Sequence, residues 1–340
     1  MKGIRIGVIA YACAALALFS CARTEIPMSR TEYVLGTSCS ITVHDHATKE
    51  TLDACFSRLH EIDLRMSVNA PGSELDEVNA AAGARAIHVT EDVFMVMKRA
   101  LELARISGGL FDPTVGPLVK LWGINTDHAR VPAIAEIAGA RSLIDWRKVV
   151  LDDAAQTVFL SRPGMSLDVG GVAKGFAADE AARILSTRGV RAALIDLGGN
   201  ILAMGKKPGG IPWRIGVQNP DAPRGTYFGI ATVVNKTLVT SGVYERFFWK
   251  NGKRYHHIMD TRTGYPIDNG IASVTVITDK SFDADGVTLT LFSLGPAKGL
   301  ELGKKLGVEV IMVMADHRIY ASEGAKKIFA VTDQSFAYAN

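Results

Sequence analysis

Strand-like and helix-like stretches are mixed along this chain rather than strictly alternating, and no unit repeats. Residues 47–66 place Leu52, Phe56, Leu59, Ile62 and Met66 at helical spacing, the pattern of an amphipathic helix. SVNAPGSE (67–74) reads as a loop. Thr90 is set to cap the next helix, with Glu91 and Asp92 at its positive end and Gly108-Gly109 at its stop. Lys174 to about Arg188, 283–294 and 297–306 are further helices. Residues 31–44 read as one β-strand with a glycine break. Residues 148–160 and 191–205 are each a pair of short strands, and 271–278 and 308–315 are single strands. The 247–258 segment is a hairpin, because Asn251-Gly252 is the favoured two-residue turn. This mixture predicts a mixed α/β (α+β) fold with a large antiparallel share. No pronounced linker divides the chain, so 31–335 is expected to be one domain, with 206–224 the best place for a subdomain joint.

Composition closes off other classes. With 48% hydrophobic residues the chain has the apolar surface that disordered proteins lack, and its 33 glycines follow no collagen period. The formal charge is +3. Removing Lys2 and Arg5 with a leader leaves 36 basic against 35 acidic residues, or +1. No basic stripe marks a nucleic-acid partner, and net charge alone gives no hold on an anionic surface.

The amino terminus reads as an address. Lys2 and Arg5 precede an apolar run at 6–19, about the length of a signal-peptide core and short for a membrane span. LFSC then ends at Cys21, in the manner of a bacterial lipobox, although Phe19 is bulkier than usual there. An ordinary signal peptide with an incidental cysteine is the alternative. Lipidation of Cys21 would supply the membrane affinity that +1 cannot. Residues 1–20 are then the leader and 21–30 a tether. Cys39 and Cys55 remain, as a disulfide or as two buried thiols.

Four stretches carry chemistry. In MSLDVGGVAKGFAAD (165–179) a β-run ends at Asp168, two glycines follow, and a helix begins. Glycines there let backbone N–H groups approach a phosphate, and plain turn chemistry is the alternative. Lys174 in the first turn opposes the helix dipole, a placement that makes sense if it meets an anion. In SFDADGVTLTLFSLG (281–295), Asp283 and Asp285 open a helix, and Thr288 shares a face with Asp285. Acidic residues suit a helix start, but the pair also suits Mg²⁺, which takes one or two carboxylates plus substrate phosphates. In YHHIMDTRTGYPID (255–268), adjacent His256 and His257 on a strand point to opposite faces, so at most one enters a given site. Asp260 lies three positions on, and a His–Asp pair is general-base material. His44, His60 and His317 read as surface or turn residues. Finally, TSGVYERFF (240–248) and SGGLFDPTVGPLVKLWG (107–123) crowd glycine, proline and small polar residues between aromatics, as pocket-lining loops do.

Together and in this order, these stretches resemble the FAD:protein FMN transferases, the ApbE flavin transferase family. The segments LGTSCSI (35–41), RMSVNAPGSELDEVN (65–79), FDPTVGPLVKLWG (111–123), LDVGGVAKGFAAD (167–179), LIDLGGNILAMG (194–205), TSGVYER (240–246), HHIMDTRTGYP (256–266) and DADGVTLTLFSLG (283–295) carry the resemblance. Each is weak alone; eight in sequence are specific, and they span about Thr31 to Val331. The resemblance implies an ApbE-like architecture around one elongated FAD groove. It implies a Mg²⁺-dependent enzyme that moves FMN from FAD to a Ser or Thr hydroxyl of a partner flavoprotein and releases AMP. The metal ligands would be Asp285 and the Gly171 carbonyl, with Thr288 as a further candidate. Asp168, Lys174 and Ser241 would contact FAD. His257 would be the base, oriented by Asp260. Leu35, the turn Phe111, Asp112 and Pro113, and Ile258 would sit against the flavin or adenine. Relatives are often exported lipoproteins held on the periplasmic side of the inner membrane, and their acceptors include FMN-bearing subunits of membrane redox pumps.

Two departures from the family pattern stand out. Asn69 occupies a place where an aromatic commonly stacks on the isoalloxazine. Losing about 1 kcal/mol of stacking would weaken FAD retention roughly fivefold and favour hydrolysis of FAD to FMN and AMP. Leu289 stands where a threonine usually follows the metal aspartate. A flavin-binding or storage lipoprotein without chemistry is therefore the competing expectation.

Overall fold

A computed structural model describes residues 26–340. The leader at 1–20, Cys21 and the first part of the tether lie outside the described residues. The chain enters as β1 (Met28–Val34) and β2 (Thr37–Val43), an antiparallel hairpin where the sequence reads as one broken strand. Leu35 and Gly36 both take left-handed backbone, with φ of 56° and 66°. That two-residue turn ordinarily uses Asn or Gly, so a leucine hides it. Asn251 and Gly252, with φ of 52° and 72°, make the same turn where it was expected.

Helix α1 (Lys49–Met66) buries Leu52, Phe56, Leu59, Ile62 and Met66 as their spacing requires. After α2 (Glu74–Ala80) and β3 (Ile87–His88) comes α3 (Glu91–Ser107). Thr90 sits at its N-cap position, but its hydroxyl donates to Glu74. Short helices α4 (Gly116–Trp122) and α5 (Ile134–Ser142) lead to the pair β4 (Val149–Asp152) and β5 (Thr157–Leu160). Next are α6 (Ala173–Thr187), β6 (Ala193–Leu197) and β7 (Asn200–Met204). Inside 206–224, read from sequence as loop, β8 (Trp213–Gln218) pairs with β9 (Tyr227–Val233). Then follow β10 (Lys236–Gly242), β11 (Phe247–Lys250), β12 (Lys253–His256) and β13 (Ile271–Thr278).

The helix expected over 283–294 is two helices, α7 (Ser281–Ala284) and α8 (Val287–Leu294). Asp285 between them is extended and Gly286 has φ 67°. Gly286 supplies a left-handed conformation that a side chain would strain. The face-sharing argument for Asp285 and Thr288 therefore does not apply. The chain closes with α9 (Pro296–Leu306), β14 (Glu309–Met314), β15 (Arg318–Ala321), α10 (Glu323–Ile328), β16 (Phe329–Val331) and β17 (Ala337–Tyr338).

A nine-stranded sheet in the order β1-β2-β6-β7-β10-β13-β14-β15-β17 organises these elements, antiparallel except for β15–β17. Strand alternation divides its side chains between two cores. Val239, Val274, Val276, Val310 and Met312 join the helices α1, α3 and α6 on one face. Leu238, Ile277, Ile311 and Val313 join the small sheet β16-β9-β8 on the other. The mixed α/β expectation with a large antiparallel share holds. Cys39 and Cys55 are free, buried thiols and form no disulfide. Their S–H groups face the Val34 and Ala181 carbonyls, and burial pushes the thiol pKa of Cys39 up to about 12 and that of Cys55 to about 11.

Candidate active site

The strands β2, β6, β7 and β10 end on a cleft of about 420 Å³, a size suited to a cofactor. Its polar wall includes Thr37, Asp168, Gly171, Lys174, Asn200, Ser241, Arg246, His257 and Asp285. Its apolar wall includes Phe111, Val115, Trp122, Ile258 and Leu289.

Asp285 is the most constrained of these. It is 4% exposed, and its Oδ2 accepts from the Gly175 N–H at 2.8 Å. A Cβ on Gly175 would lie 2.5 Å from the Ser281 carbonyl oxygen, so only glycine lets α6 come this close. Burial raises the Asp285 pKa, and Lys174 works against that shift. A cation is the remedy for a carboxylate so placed. The Gly171 carbonyl is close by, 3.3 Å from the position a Cβ on Gly286 would take. These are hard oxygen donors. Among the described residues no three His, Cys, Asp or Glu side chains gather as a metal cage. A cation here would rest on Asp285, backbone carbonyls, water and substrate phosphates, the donor set that suits Mg²⁺. Thr288 Oγ1 lies 2.8 Å from Ser241 Oγ. Leu289 packs on Gly171, its Cδ1 2.8 Å from where a Cβ would stand.

Lys174 reaches across the first turn of α6, its Nζ donating to the Gly170 carbonyl at 2.9 Å. Asp168 holds the glycine turn through the Gly170 N–H at 2.8 Å. The two histidines part, but not by strand alternation, because β12 ends at His256 and His257 lies in the bend after it. His256 is buried, with Nε2 donating to the Ile267 carbonyl at 2.8 Å and Nδ1 accepting from Ile258 N–H. His257 lines the cleft. Its Nδ1 lies 3.3 Å from the Arg246 carbonyl, which can only accept, so Nδ1 carries the hydrogen and Nε2 keeps its lone pair. Burial, then the Arg246 charge, lowers the His257 pKa to about 3. The charge of Lys174 acts on both groups, opposing protonation of His257 and favouring ionised Asp285.

Other expected residues stand differently from their expected roles. Asp260 does not meet His257. Its carboxylate is taken by Arg262, at 2.9 and 3.0 Å, so the Arg246 carbonyl holds the ring instead. Asn69 is exposed on the 67–73 loop and is not among the residues lining the cleft. Leu35 turns the hairpin while its neighbours Gly36 and Thr37 line the cleft. Pro113 stands behind the wall, its carbonyl accepting from Asp168 N–H at 2.8 Å. Asp112 lines the wall but spends its oxygens on Thr114 and Trp146.

Sequence reasoning missed Arg246, Arg224 and Asn200. Arg224 pairs with Glu245 at the cleft. Asn200 is 1% exposed, accepts from Ser281 through Oδ1, and leaves Nδ2 without a partner. Its signal was the asparagine closing the LGGN turn at 197–200.

The sequence matches the ApbE family over residues 35–312. A FAD:protein FMN transferase of Treponema pallidum is 35% identical, with 98% of this chain and 97% of that relative covered. One from Klebsiella pneumoniae is 36% identical over 86% of this chain and 90% of its own. The ApbE protein of Thermotoga maritima superposes with a TM-score of 0.83 at 30% identity, covering 89% of this chain and 99% of that one. The flavin transferase ApbE of Vibrio cholerae gives 0.80 at 28% identity with the same coverage.

Proposed function

The chain belongs to the ApbE family of flavin transferases, and from that premise we propose that its cleft splits the pyrophosphate of FAD with Mg²⁺, passes FMN to a Ser or Thr hydroxyl of an acceptor flavoprotein, and releases AMP. The supporting observation is that His257, Lys174, Gly171 and Asp285 line one cleft, with Asp285 held by the Gly175 N–H and the His257 ring held by the Arg246 carbonyl. His257 Nε2 takes the proton of the incoming hydroxyl. The freed oxygen bonds to the FMN phosphorus, and the bond from that phosphorus to the bridging oxygen breaks toward AMP. Lys174 offsets charge on the pyrophosphate oxygens. The Nδ1–H bond to the Arg246 carbonyl holds the ring in the tautomer this requires. Asp285 and the Gly171 carbonyl would hold Mg²⁺, which when bound neutralises phosphate charge. With water in place of the acceptor, the same steps hydrolyse FAD to FMN and AMP.

We propose export under the 1–20 leader, a lipid anchor on Cys21, a tether over 21–30 and one transferase domain over 31–335. The protein would stand on the periplasmic side of the inner membrane, among acceptors such as FMN-bearing subunits of membrane redox pumps.

The test is to incubate the protein with FAD, with and without Mg²⁺ and with and without an acceptor domain. Mg²⁺-dependent AMP together with covalent FMN on the acceptor is the expected result. Free FMN without acceptor would add the hydrolase. Intact FAD in every arm would leave the cleft as a flavin store.

A further inference from the structure

We propose that the end of the molecule opposite the cleft docks on anionic phospholipid headgroups and holds the cleft away from the bilayer. The proposal rests on the anchor reading of Cys21. Strands β2, β6 and β7 share two ends. One end lines the cleft through Thr37, Gly198 and Asn200. At the other, a recess is lined by His44, Asp45, Arg191, Lys206, Lys207 and Gly210.

Three observations at this second end point to a membrane. The first is charge. Asp45 is taken by Arg191 at 3.2 Å, while Lys206 and Lys207 pair with no carboxylate among the described residues. Lys207 Nζ sits 5.3 Å over the Trp213 ring, against whose edge His44 packs at 5.1 Å. Burial and then the Lys207 charge lower the His44 pKa. Glu50, exposed in the first turn of α1, is the opposing charge nearby in sequence. The second is an apolar tip. Ile211, bridged to Lys207 in the same loop, is 57% exposed, and Ile26, two residues ahead of β1, is 88% exposed. Cations flanking exposed isoleucines suit a headgroup layer with acyl chains beneath it better than a soluble anion. The third is the path of the chain. Met28 pairs with Val43, so the described chain begins beside His44. Cys21 lies seven positions earlier, within about 25 Å if extended. The seven residues of β2 then set the cleft about 23 Å farther out.

To test this, the chain with its N-terminal anchor is reconstituted on vesicles of phosphatidylcholine, or of phosphatidylcholine mixed with phosphatidylglycerol. A water-soluble amine-acylating reagent is applied, and labelling of Lys206 and Lys207 is read by mass spectrometry against Lys298 and Lys304 on α9. On the anionic vesicles, Lys206 and Lys207 should label about fivefold more slowly, the partition expected for one cation near such a surface. High salt should remove the difference, and so should Lys206→Glu combined with Ile211→Asp, read at Lys207. Equal labelling on both vesicles, with the chain floating on both, overturns the docking and leaves the anchor standing. Protection by inorganic phosphate without vesicles, equal to that on anionic vesicles, overturns it in favour of a soluble phosphate site. A chain that floats with neither vesicle overturns the anchor and the docking together.

Discussion

At the cleft end of β2, β6 and β7, charged and titratable groups are buried and held against one another. Asp285 is tied to a backbone N–H, and His257 is kept neutral by burial with Arg246 and Lys174 nearby. At the far end Lys206 and Lys207 have no carboxylate partner among the described residues, and Ile211 beside them is exposed. The same strands thus carry two arrangements of charge, one that perturbs its members and one that projects a field outward. A formal net charge of +3 over the whole chain conceals both. Sorting, not the sum, decides what each end can meet.

Substitutions should separate the two ends. His257→Ala should lower FMN transfer by about 10³-fold, the scale of a lost general base, with FAD affinity little changed. Fluorescence of flavin covalently bound to the acceptor, beside an FAD titration, measures both. Asp285→Ala should cost about 10²-fold in transfer, the scale of one lost electrostatic contact, and should flatten the response to Mg²⁺ in a metal titration. Gly175→Ala should destabilise the fold by about 1–3 kcal/mol, because the new methyl meets the Ser281 carbonyl oxygen. Denaturant unfolding reads that loss, and transfer should fall with it as Asp285 is displaced.

Acid should act on the cleft end as well. His256 and His257 have folded pKa values lowered to about 4 and about 3, against an ordinary value of 6.5. The unfolded chain therefore binds protons first as pH falls. Their contribution to stability is complete above about pH 6.5 and is lost as pH drops toward 4. Melting temperatures at pH 7.5 and pH 5 should differ in that direction. At the far end, Lys206→Glu with Ile211→Asp should change transfer to a soluble acceptor less than about twofold, as exposed substitutions away from a site do. A large loss there would erase the distinction between the ends.

What the sequence disclosed was local. Helical spacing over 47–66 and the Asn251-Gly252 turn follow from period and turn chemistry over short stretches, whereas His257 parts from His256 in a bend past the end of β12. The Leu35 turn escaped because leucine is not a turn former. The break at Asp285 escaped because one glycine within an apolar helical pattern is ordinarily tolerated. Asp260 looked like a partner for His257 because they are close in sequence, yet Arg262 is closer still and takes both oxygens. The basic end was illegible because its cations come from separate segments that only the sheet assembles.

The most direct test counts products in one reaction. With Mg²⁺, FAD and an acceptor domain, AMP and acceptor-bound FMN are quantified together for the native chain and for His257→Ala. The account predicts that AMP equals covalent FMN plus free FMN in the native chain, and that both fall together in the variant while FAD stays bound. Covalent FMN forming at the native rate in His257→Ala would contradict it, because the proton would then leave by a route other than the imidazole in the cleft.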